Sequence, residues 1–129
     1  MRYNLFLLLF VIGVIYSCNG ENEDPFEINF AHLDYLYEEV SQNNEDMAFI
    51  HIYSNYPTYN YIDDDDEGTA CVDDVARAAI FYLNNFKYTG NKSSLDKNKK
   101  LLKFILYLQA ENGYFYNFIW NRNAVGSTD

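Results

Sequence analysis

The chain has 129 residues, with 19 acidic and 9 basic side chains and a formal net charge of −10 at pH 7. This length suffices for one small domain and not for several. Nucleic-acid binding requires a basic face that can meet the phosphate backbone, so the acidic composition predicts no nucleic-acid partner. Most of the basic residues lie in one segment, from Lys87 to Lys103, at a spacing typical of the solvated face of a helix.

The first stretch of the chain has the organisation of a secretory signal. Arg2 precedes an apolar run from Leu5 to Ile15, which is shorter than the about 20 residues that a membrane-spanning helix needs. The residues from Ile15 to Cys18 resemble the lipobox of bacterial lipoproteins, in which the signal is cleaved just before the cysteine. The resemblance implies a lipoprotein signal peptide over residues 1–17 and a membrane lipid anchor at Cys18, the alternative being an ordinary signal peptide.

Residues 18–27 are acidic, contain Pro25 and lack apolar periodicity, a composition that predicts a flexible tether. An acidic run directly behind a lipidated cysteine is similar to the surface-export signal of some Gram-negative lipoproteins. The expected location is therefore the outer membrane in the cell envelope, with the domain exposed at the surface. If Cys18 carries a lipid, Cys71 has no partner for an intrachain disulfide, and a lone cysteine is typically a small buried apolar residue.

Apolar residues at helical spacing and capping signals predict three helices. They are Ile28 to Val40, Val72 to about Phe86, and a helix that begins with the Ser93/Asp96 capping box and continues toward Gly113. The second and third are joined by a short polar turn at Gly90 and are expected to form an antiparallel hairpin.

Shorter segments separate these helices. Residues 41–46 are polar and predict a linker, and residues 47–54 alternate as a short strand or extended segment does. Pro57 to Gly68 lacks a periodic apolar pattern and predicts a loop. The aromatic alternation from Tyr114 to Asn121 is typical of a strand or a long hairpin loop.

Asp73 and Asp74 are the candidate catalytic residues. Cleavage of a glycoside needs two carboxyl groups, one protonated and one ionised, and the neighbouring acidic run could raise the pKa of one of them by repulsion. Adjacent helical residues point about 100° apart, which argues against both facing one sugar. The alternative interpretation is structural, because carboxylates in a first helical turn are stabilised by the free backbone N–H groups and the helix dipole.

The run from Asp63 to Glu67 raises the question of a metal site. With Gly68 in the sixth position and Asp74 in the twelfth, its spacing approaches that of a calcium-binding loop. However, no helix leads into it, and the twelfth position has Asp where a longer Glu is preferred. We therefore predict a solvated loop without a metal, and we expect no cofactor, since the chain contains no phosphate loop, serine elbow or zinc spacing.

Aromatic residues near the end of the sequence are candidate carbohydrate contacts. Tyr114, Phe115, Tyr116, Phe118 and Trp120 could stack on the faces of sugar rings, and Tyr114, Tyr116 and Trp120 are chosen as the substrate-binding candidates. The alternative is that aromatic residues at period two form the core face of a strand.

Two segments, GTACVDDVARAA and QAENGYFYNFIW, are similar to the opening hairpin of the six-hairpin (α/α) toroid proteins related to glycoside hydrolases. The resemblance implies a mainly α fold of helical hairpins of the (α/α)6-toroid type, with short extended segments, over residues 28–129. Because a toroid needs many more helices than this chain offers, the resemblance also implies an incomplete domain, truncated from a longer frame. The expected function is a surface lipoprotein with a partial glycosidase-like, carbohydrate-active domain; the alternative is a non-catalytic glycan-binding or structural remnant.

Overall fold

A computed structural model describes residues 28–120 and, as backbone, Ala124 and Val125. Its elements are α1 (Ala31–Leu36), β1 (Tyr37–Gln42), β2 (Glu45–Ile50), β3 (Tyr53–Ser54), β4 (Tyr61–Ile62), β5 (Ala70–Cys71), α2 (Val72–Thr89), α3 (Lys92–Tyr107), β6 (Phe118–Trp120) and β7 (Ala124–Val125). The strands form three small antiparallel sheets, β1-β2, β3-β4 and β5-β6-β7. The predicted signal peptide and tether, with Cys18, lie outside the described residues.

The first predicted helix is wrong over its second half. Only Ala31–Leu36 is helical, and Asn29, the predicted cap, accepts a hydrogen bond from the Ala31 backbone N–H at 2.9 Å. The chain then enters a β-hairpin, in which Gln42 pairs with Glu45 across a two-residue turn. Asn43 and Asn44 adopt φ values of 53° and 64°, the left-handed conformation that two-residue hairpin turns require and that asparagine tolerates. The predicted linker, residues 41–46, thus contains the turn of a hairpin and the adjoining ends of its two strands.

The helical hairpin is confirmed. α2 ends at Gly90, whose φ of 73° is left-handed and whose N–H donates to the Phe86 carbonyl. The Asn85 side chain donates to the Ser94 hydroxyl at 2.7 Å, and that of Asn98 donates to the Ala79 carbonyl at 2.7 Å. These pairs run in opposite directions along the two helices, which are therefore antiparallel.

The N-caps of these helices are Cys71 and Asn91. Cys71 is the N-cap of α2, and Asp73 and Asp74 lie in its first turn, as the sequence predicted. Asn91 caps α3, because its side-chain oxygen accepts from the backbone N–H groups of Ser93 and Ser94 at 2.9 and 3.4 Å. The predicted Ser93 capping box is therefore displaced by an asparagine that satisfies the same free donors.

The core lies between β2 and the helical hairpin. The Phe49 ring of β2 meets the Phe104 ring of α3 at 5.5 Å between centroids, and α2 contributes the buried Tyr82. The fully buried apolar side chains include Phe49, Val75, Tyr82, Leu101, Phe104, Leu108 and Ile119. The same core thus joins the first hairpin, both long helices and the last described sheet.

The toroid resemblance and the mainly α fold class are contradicted. The described residues hold three helices, only two of which form a hairpin, together with three antiparallel sheets. A toroid covers the apolar stripe of each helix with further helices, whereas here β2 covers α3. The fold is a small mixed α/β arrangement.

Gly68 allows the acidic loop to approach the last sheet. Its φ is 70°, and a Cβ atom at this position would lie 2.5 Å from the backbone oxygen of Ile119. The Gly68 N–H and carbonyl also bond to the backbone of Asp64. A glycine is therefore required both by the left-handed backbone and by the contact with β6.

Candidate functional site

An open cleft of about 550 Å³ lies where the start of α2 meets β3 and β6. We call it the polar cleft; its walls include Tyr53, Glu67, Asp73, Asp74, Arg77 and Phe118. Its volume falls within the about 300–1,000 Å³ of small-molecule sites. Aromatic rings and ionised side chains thus meet in one concave surface.

Antiparallel pairing between β5 and β6 builds one wall of the polar cleft. Cys71 pairs with Phe118, and the Val72 N–H donates to the Asn117 carbonyl at 2.9 Å. The pairing places the aromatic segment beside the first turn of α2. The sequence predicted neither this pairing nor its consequence, that Phe118 lies against the acidic helix start.

Tyr53 forms part of the opposite wall. It lies in β3, and its hydroxyl donates to Glu67 Oε2 at 2.6 Å. This hydrogen bond, together with the negative charge of Glu67, raises the pKa of Tyr53. The ring is therefore held in place as a neutral phenol, with part of its surface exposed.

Asp74 is held by two partners. Its Oδ1 accepts from Arg77 Nη2 at 2.7 Å, and its Oδ2 accepts from the Cys71 thiol at 3.2 Å. The hydrogen bond to Asp74, and then its charge, raise the pKa of the Arg77 guanidinium. Both carboxylate oxygens of Asp74 are thus engaged by neighbours within the same helical turn.

Cys71 acts as a cap rather than a nucleophile. Its sulfur accepts from the Asp74 N–H at 3.5 Å. Burial, with the hydrogen bond to the Asp74 carboxylate and its charge, outweighs the lowering effect of the Asp74 N–H and raises the pKa of the thiol to about 11. Since the thiolate is the reactive form of cysteine, Cys71 stays protonated and unreactive at neutral pH.

Asp73 lies at the rim of the polar cleft, with its side chain 77% exposed and Oδ2 3.8 Å from Arg77 Nη1. Both candidate carboxylates therefore line one cleft, although they are neighbours on a helix, and the guanidinium of Arg77 lies between them. Arg77 thus forms an ion pair with each of them. A catalytic role for either residue stays a prediction.

The predicted aromatic sugar contacts, Tyr114, Tyr116 and Trp120, are not among the residues that line the polar cleft. Tyr114 is 71% exposed in the loop before β6. The Tyr116 backbone N–H donates to the Leu108 carbonyl, and the Trp120 ring packs edge-on against Phe118. Phe118, from the same aromatic segment, does line the cleft. Tyr53 was missed, because its position depends on the pairing of β3 with β4.

A second, apolar cleft of about 380 Å³ adjoins the first. Leu33, Leu36 and Phe81 line it, and it shares Asp74 and Arg77 with the polar cleft. The Asp74–Arg77 pair therefore forms a divider between the two concave surfaces, polar on one side and apolar on the other.

The acidic run forms a tight turn. Asp64 Oδ1 accepts from the backbone N–H groups of Asp66 and Glu67 at 2.8 and 3.1 Å, so this carboxylate stabilises its own loop. Within residues 28–120, no group of three or more His, Cys, Asp or Glu side chains is arranged to hold a metal ion.

Neither the models of known protein families nor the curated protein sequences gave a match to this chain. Among the described helices, none is both long and apolar enough to cross a membrane.

Proposed function

We propose that this chain is a lipid-anchored surface protein whose domain over residues 28–120 binds carbohydrate in the polar cleft without cleaving it. The observation that carries the proposal is the meeting of Tyr53 and Phe118 with the carboxylates and guanidinium of Asp73, Asp74 and Arg77 in one open cleft. Sugars present apolar ring faces and several hydroxyl groups. Aromatic faces and charged hydrogen-bonding groups complement these two features respectively.

The state of Asp74 favours binding over cleavage. A glycosidase needs a carboxyl group that can release or accept a proton during the reaction. Asp74 already accepts from Arg77 and from the Cys71 thiol, and Asp73 is largely exposed to water. The lone pairs that these carboxylates have left can accept hydrogen bonds from sugar hydroxyls.

The charge of the cleft favours neutral sugars. Its lining carries three carboxylates, those of Glu67, Asp73 and Asp74, against the single guanidinium of Arg77. Anionic sugars would meet repulsion from these three carboxylates. Neutral hexose and N-acetylhexosamine oligosaccharides are therefore the probes of choice.

The test is calorimetric titration of the full-length chain, purified in mild detergent, with such oligosaccharides. Replacing Tyr53 by Ala should weaken binding by about fivefold, as expected for the loss of one aromatic contact. Tyr88, which is 89% exposed near the end of α2, offers the matched control: Tyr88→Ala should leave binding unchanged. Equal affinity of Tyr53→Ala and the parent chain for the oligosaccharide would show that the sugar does not bind in the polar cleft.

The same samples test the absence of cleavage. After long incubation, chromatography should recover the oligosaccharide intact. Shortened sugars produced by the parent chain, and not by Asp74→Asn, would overturn the non-catalytic part of the proposal and support the catalytic assignment of Asp74.

The anchor has its own test. The lipobox resemblance at Cys18 supports lipidation, and the acidic residues 18–27 support export to the surface. Cys18→Ala should release the protein from membranes into the soluble fraction. Unchanged detergent partitioning of this variant would refute the anchor, whatever the outcome of the sugar titration.

A further inference from the structure

Four tyrosines form a continuous exposed surface away from the polar cleft. Ring contacts link Tyr56 to Tyr59 at 6.3 Å, Tyr59 to Tyr35 at 6.4 Å, and Tyr35 to Tyr61 at 5.2 Å between centroids. All four side chains are exposed, from 38% for Tyr61 to 83% for Tyr56. We call this surface the tyrosine face.

The tyrosine face and the polar cleft lie on opposite sides of the β3-β4 ribbon. Ser54 pairs with Tyr61, and Tyr53 pairs with Ile62. Since directly paired residues share a side of a sheet and successive residues alternate, Tyr61 and Tyr53 face opposite ways. The face is therefore a separate surface.

The tyrosine face is held rigid before any partner arrives. The Tyr61 ring stacks on the buried His51 ring, with 3.7 Å between centroids and 5° between planes, and His51 Nε2 lies 2.5 Å from Glu38 Oε2. The Tyr61 hydroxyl donates to the Tyr35 carbonyl at 2.5 Å, and the Tyr35 hydroxyl donates to the Tyr59 carbonyl. Ordering these rings thus costs little on binding.

The backbone at Tyr59 is held in an unusual conformation. Its φ of 56° is left-handed, which is uncommon for a bulky residue. The turn persists because the Tyr59 N–H donates to the Asn55 carbonyl at 2.5 Å and the Asn55 N–H donates to the Asn60 carbonyl at 3.0 Å. Residues held in such sparsely populated conformations cluster at binding and switch sites.

The acidic residues that follow Tyr61 in the chain favour a basic partner. Asp63 follows Tyr61 by two residues, which places their Cα atoms within about 7 Å of each other, and the exposed Asp65 and Asp66 come next. No lysine or arginine lies between His51 and Ala76. The segment that carries Tyr56, Tyr59 and Tyr61 therefore has acidic side chains and no basic one.

Tyrosine rings in this protein already accept a cation. Lys97 Nζ lies 5.2 Å from the centroids of both the Tyr37 and the Tyr82 rings. An ammonium or guanidinium group over an aromatic face is attracted by the ring, the more so beside carboxylates.

From these observations we infer that the tyrosine face binds a lysine- or arginine-bearing segment of another protein. Basic side chains of the partner lie over the tyrosine rings, and the carboxylates of Asp63, Asp65 and Asp66 attract them. Tyrosine is among the residues enriched at the centres of protein interfaces.

The test is fluorescence anisotropy of labelled peptides with alternating arginine and glycine, titrated with the full-length chain in mild detergent. A peptide with glutamate in place of arginine should not bind. Tyr56→Ala should weaken binding of the arginine peptide by about twofold to fivefold, as expected for an exposed cation–aromatic contact. Tyr88→Ala removes an equally exposed ring elsewhere and should have no effect.

Two variants of equal net charge distinguish binding at the tyrosine face from nonspecific attraction of a basic peptide to an acidic protein. The first neutralises Asp63, Asp65 and Asp66 by Asn. The second neutralises the exposed Glu45, Asp96 and Glu111 by Gln, Asn and Gln. The first should lose clearly more affinity than the second, whereas equal losses would overturn the proposal.

Other occupants give distinct outcomes. Competition between the arginine peptide and a neutral oligosaccharide, lost in Tyr56→Ala, would assign the face to sugar and overturn the inference. Self-association of the parent chain in sedimentation experiments, absent in Tyr56→Ala, would assign it to a second copy and also overturn it. Neither outcome depends on binding in the polar cleft, which Tyr53→Ala reports separately.

Discussion

Arg77 Nη2 lies 2.7 Å from Asp74 Oδ1, and this ion pair separates the polar cleft from the apolar one. The guanidinium is 69% exposed, so solvent screens the pair and its contribution to folding is small. Arg77 is therefore better placed to contact a ligand than to stabilise the helix.

The first prediction concerns that arginine. Arg77→Gln should leave the melting temperature nearly unchanged, because the pair is exposed, and should weaken binding of a neutral oligosaccharide because the cleft loses its cationic donor. Thermal unfolding and calorimetric titration of the same sample measure the two effects. A large drop in melting temperature with unchanged binding would make the pair structural.

The second prediction concerns the cap of α2. Cys71→Ala removes the sulfur that accepts from the Asp74 N–H and should lower the free energy of unfolding by about 1 kcal/mol. Cys71→Ser keeps an acceptor of similar size and should retain most of the stability. Denaturant unfolding measures the free energy of unfolding of the parent chain and the two variants. An equal loss of stability in Cys71→Ser and Cys71→Ala would show that the loss does not come from the capping hydrogen bond.

The third prediction compares two glycines with the same backbone conformation. Gly68 and Gly90 have φ values of 70° and 73°, but only at Gly68 would a Cβ meet another atom, the Ile119 oxygen at 2.5 Å. Gly90→Ala should cost about 1 kcal/mol for the left-handed backbone, and Gly68→Ala about 2–4 kcal/mol because the clash adds to it. Similar losses of unfolding free energy for the two variants would mean that a side chain at position 68 does not clash with β6.

The fourth prediction concerns acid stability. Burial raises the pKa of Asp34, but hydrogen bonds from Lys97 Nζ and the Tyr82 hydroxyl, with the charge of Lys97, outweigh it and lower the pKa below its ordinary value. Asp34 therefore stabilises the fold above the unfolded-state pKa of about 3.9, and this contribution is lost as the pH falls through the lower folded pKa.

In Asp34→Asn, that acid-dependent part of the stability disappears. The variant should melt below the parent chain at neutral pH, and its melting temperature should fall less between about pH 5 and pH 3. Asp96→Asn, whose carboxylate lies 3.9 Å from Lys99 at the surface, should keep the slope of the parent. Parallel pH profiles for Asp34→Asn and the parent would contradict the assignment.

Local signals predicted the helical hairpin well, and they failed where two periodicities overlap. The apolar residues from Phe30 to Val40 fit a helical repeat, yet the chain changes from helix to strand at Tyr37. The Asn43-Asn44 pair was the available signal, since such a pair favours a two-residue hairpin turn. Because residues 41–46 were predicted as a linker, the β1-β2 hairpin was absent from the predicted fold.

The candidate site could be predicted only in part. Asp73, Asp74 and Arg77 lie within one helical turn, so their spacing in the sequence determined their proximity. Tyr53 and Phe118 reach them through strand pairings between segments far apart in the chain. Such pairings depend on the packing of the whole domain and leave no short-range pattern in the sequence.

The measurement that tests the account most directly is an NMR titration of the isotope-labelled full-length chain, in mild detergent, with a panel of neutral oligosaccharides. The account predicts saturable shifts of the backbone signals of Tyr53, Asp74 and Phe118, with those of Tyr88 unchanged. Shifts confined to Tyr114 and Tyr116 would place the sugar on the exposed aromatic loop instead, and the absence of shifts with every sugar of the panel would contradict carbohydrate binding by this cleft.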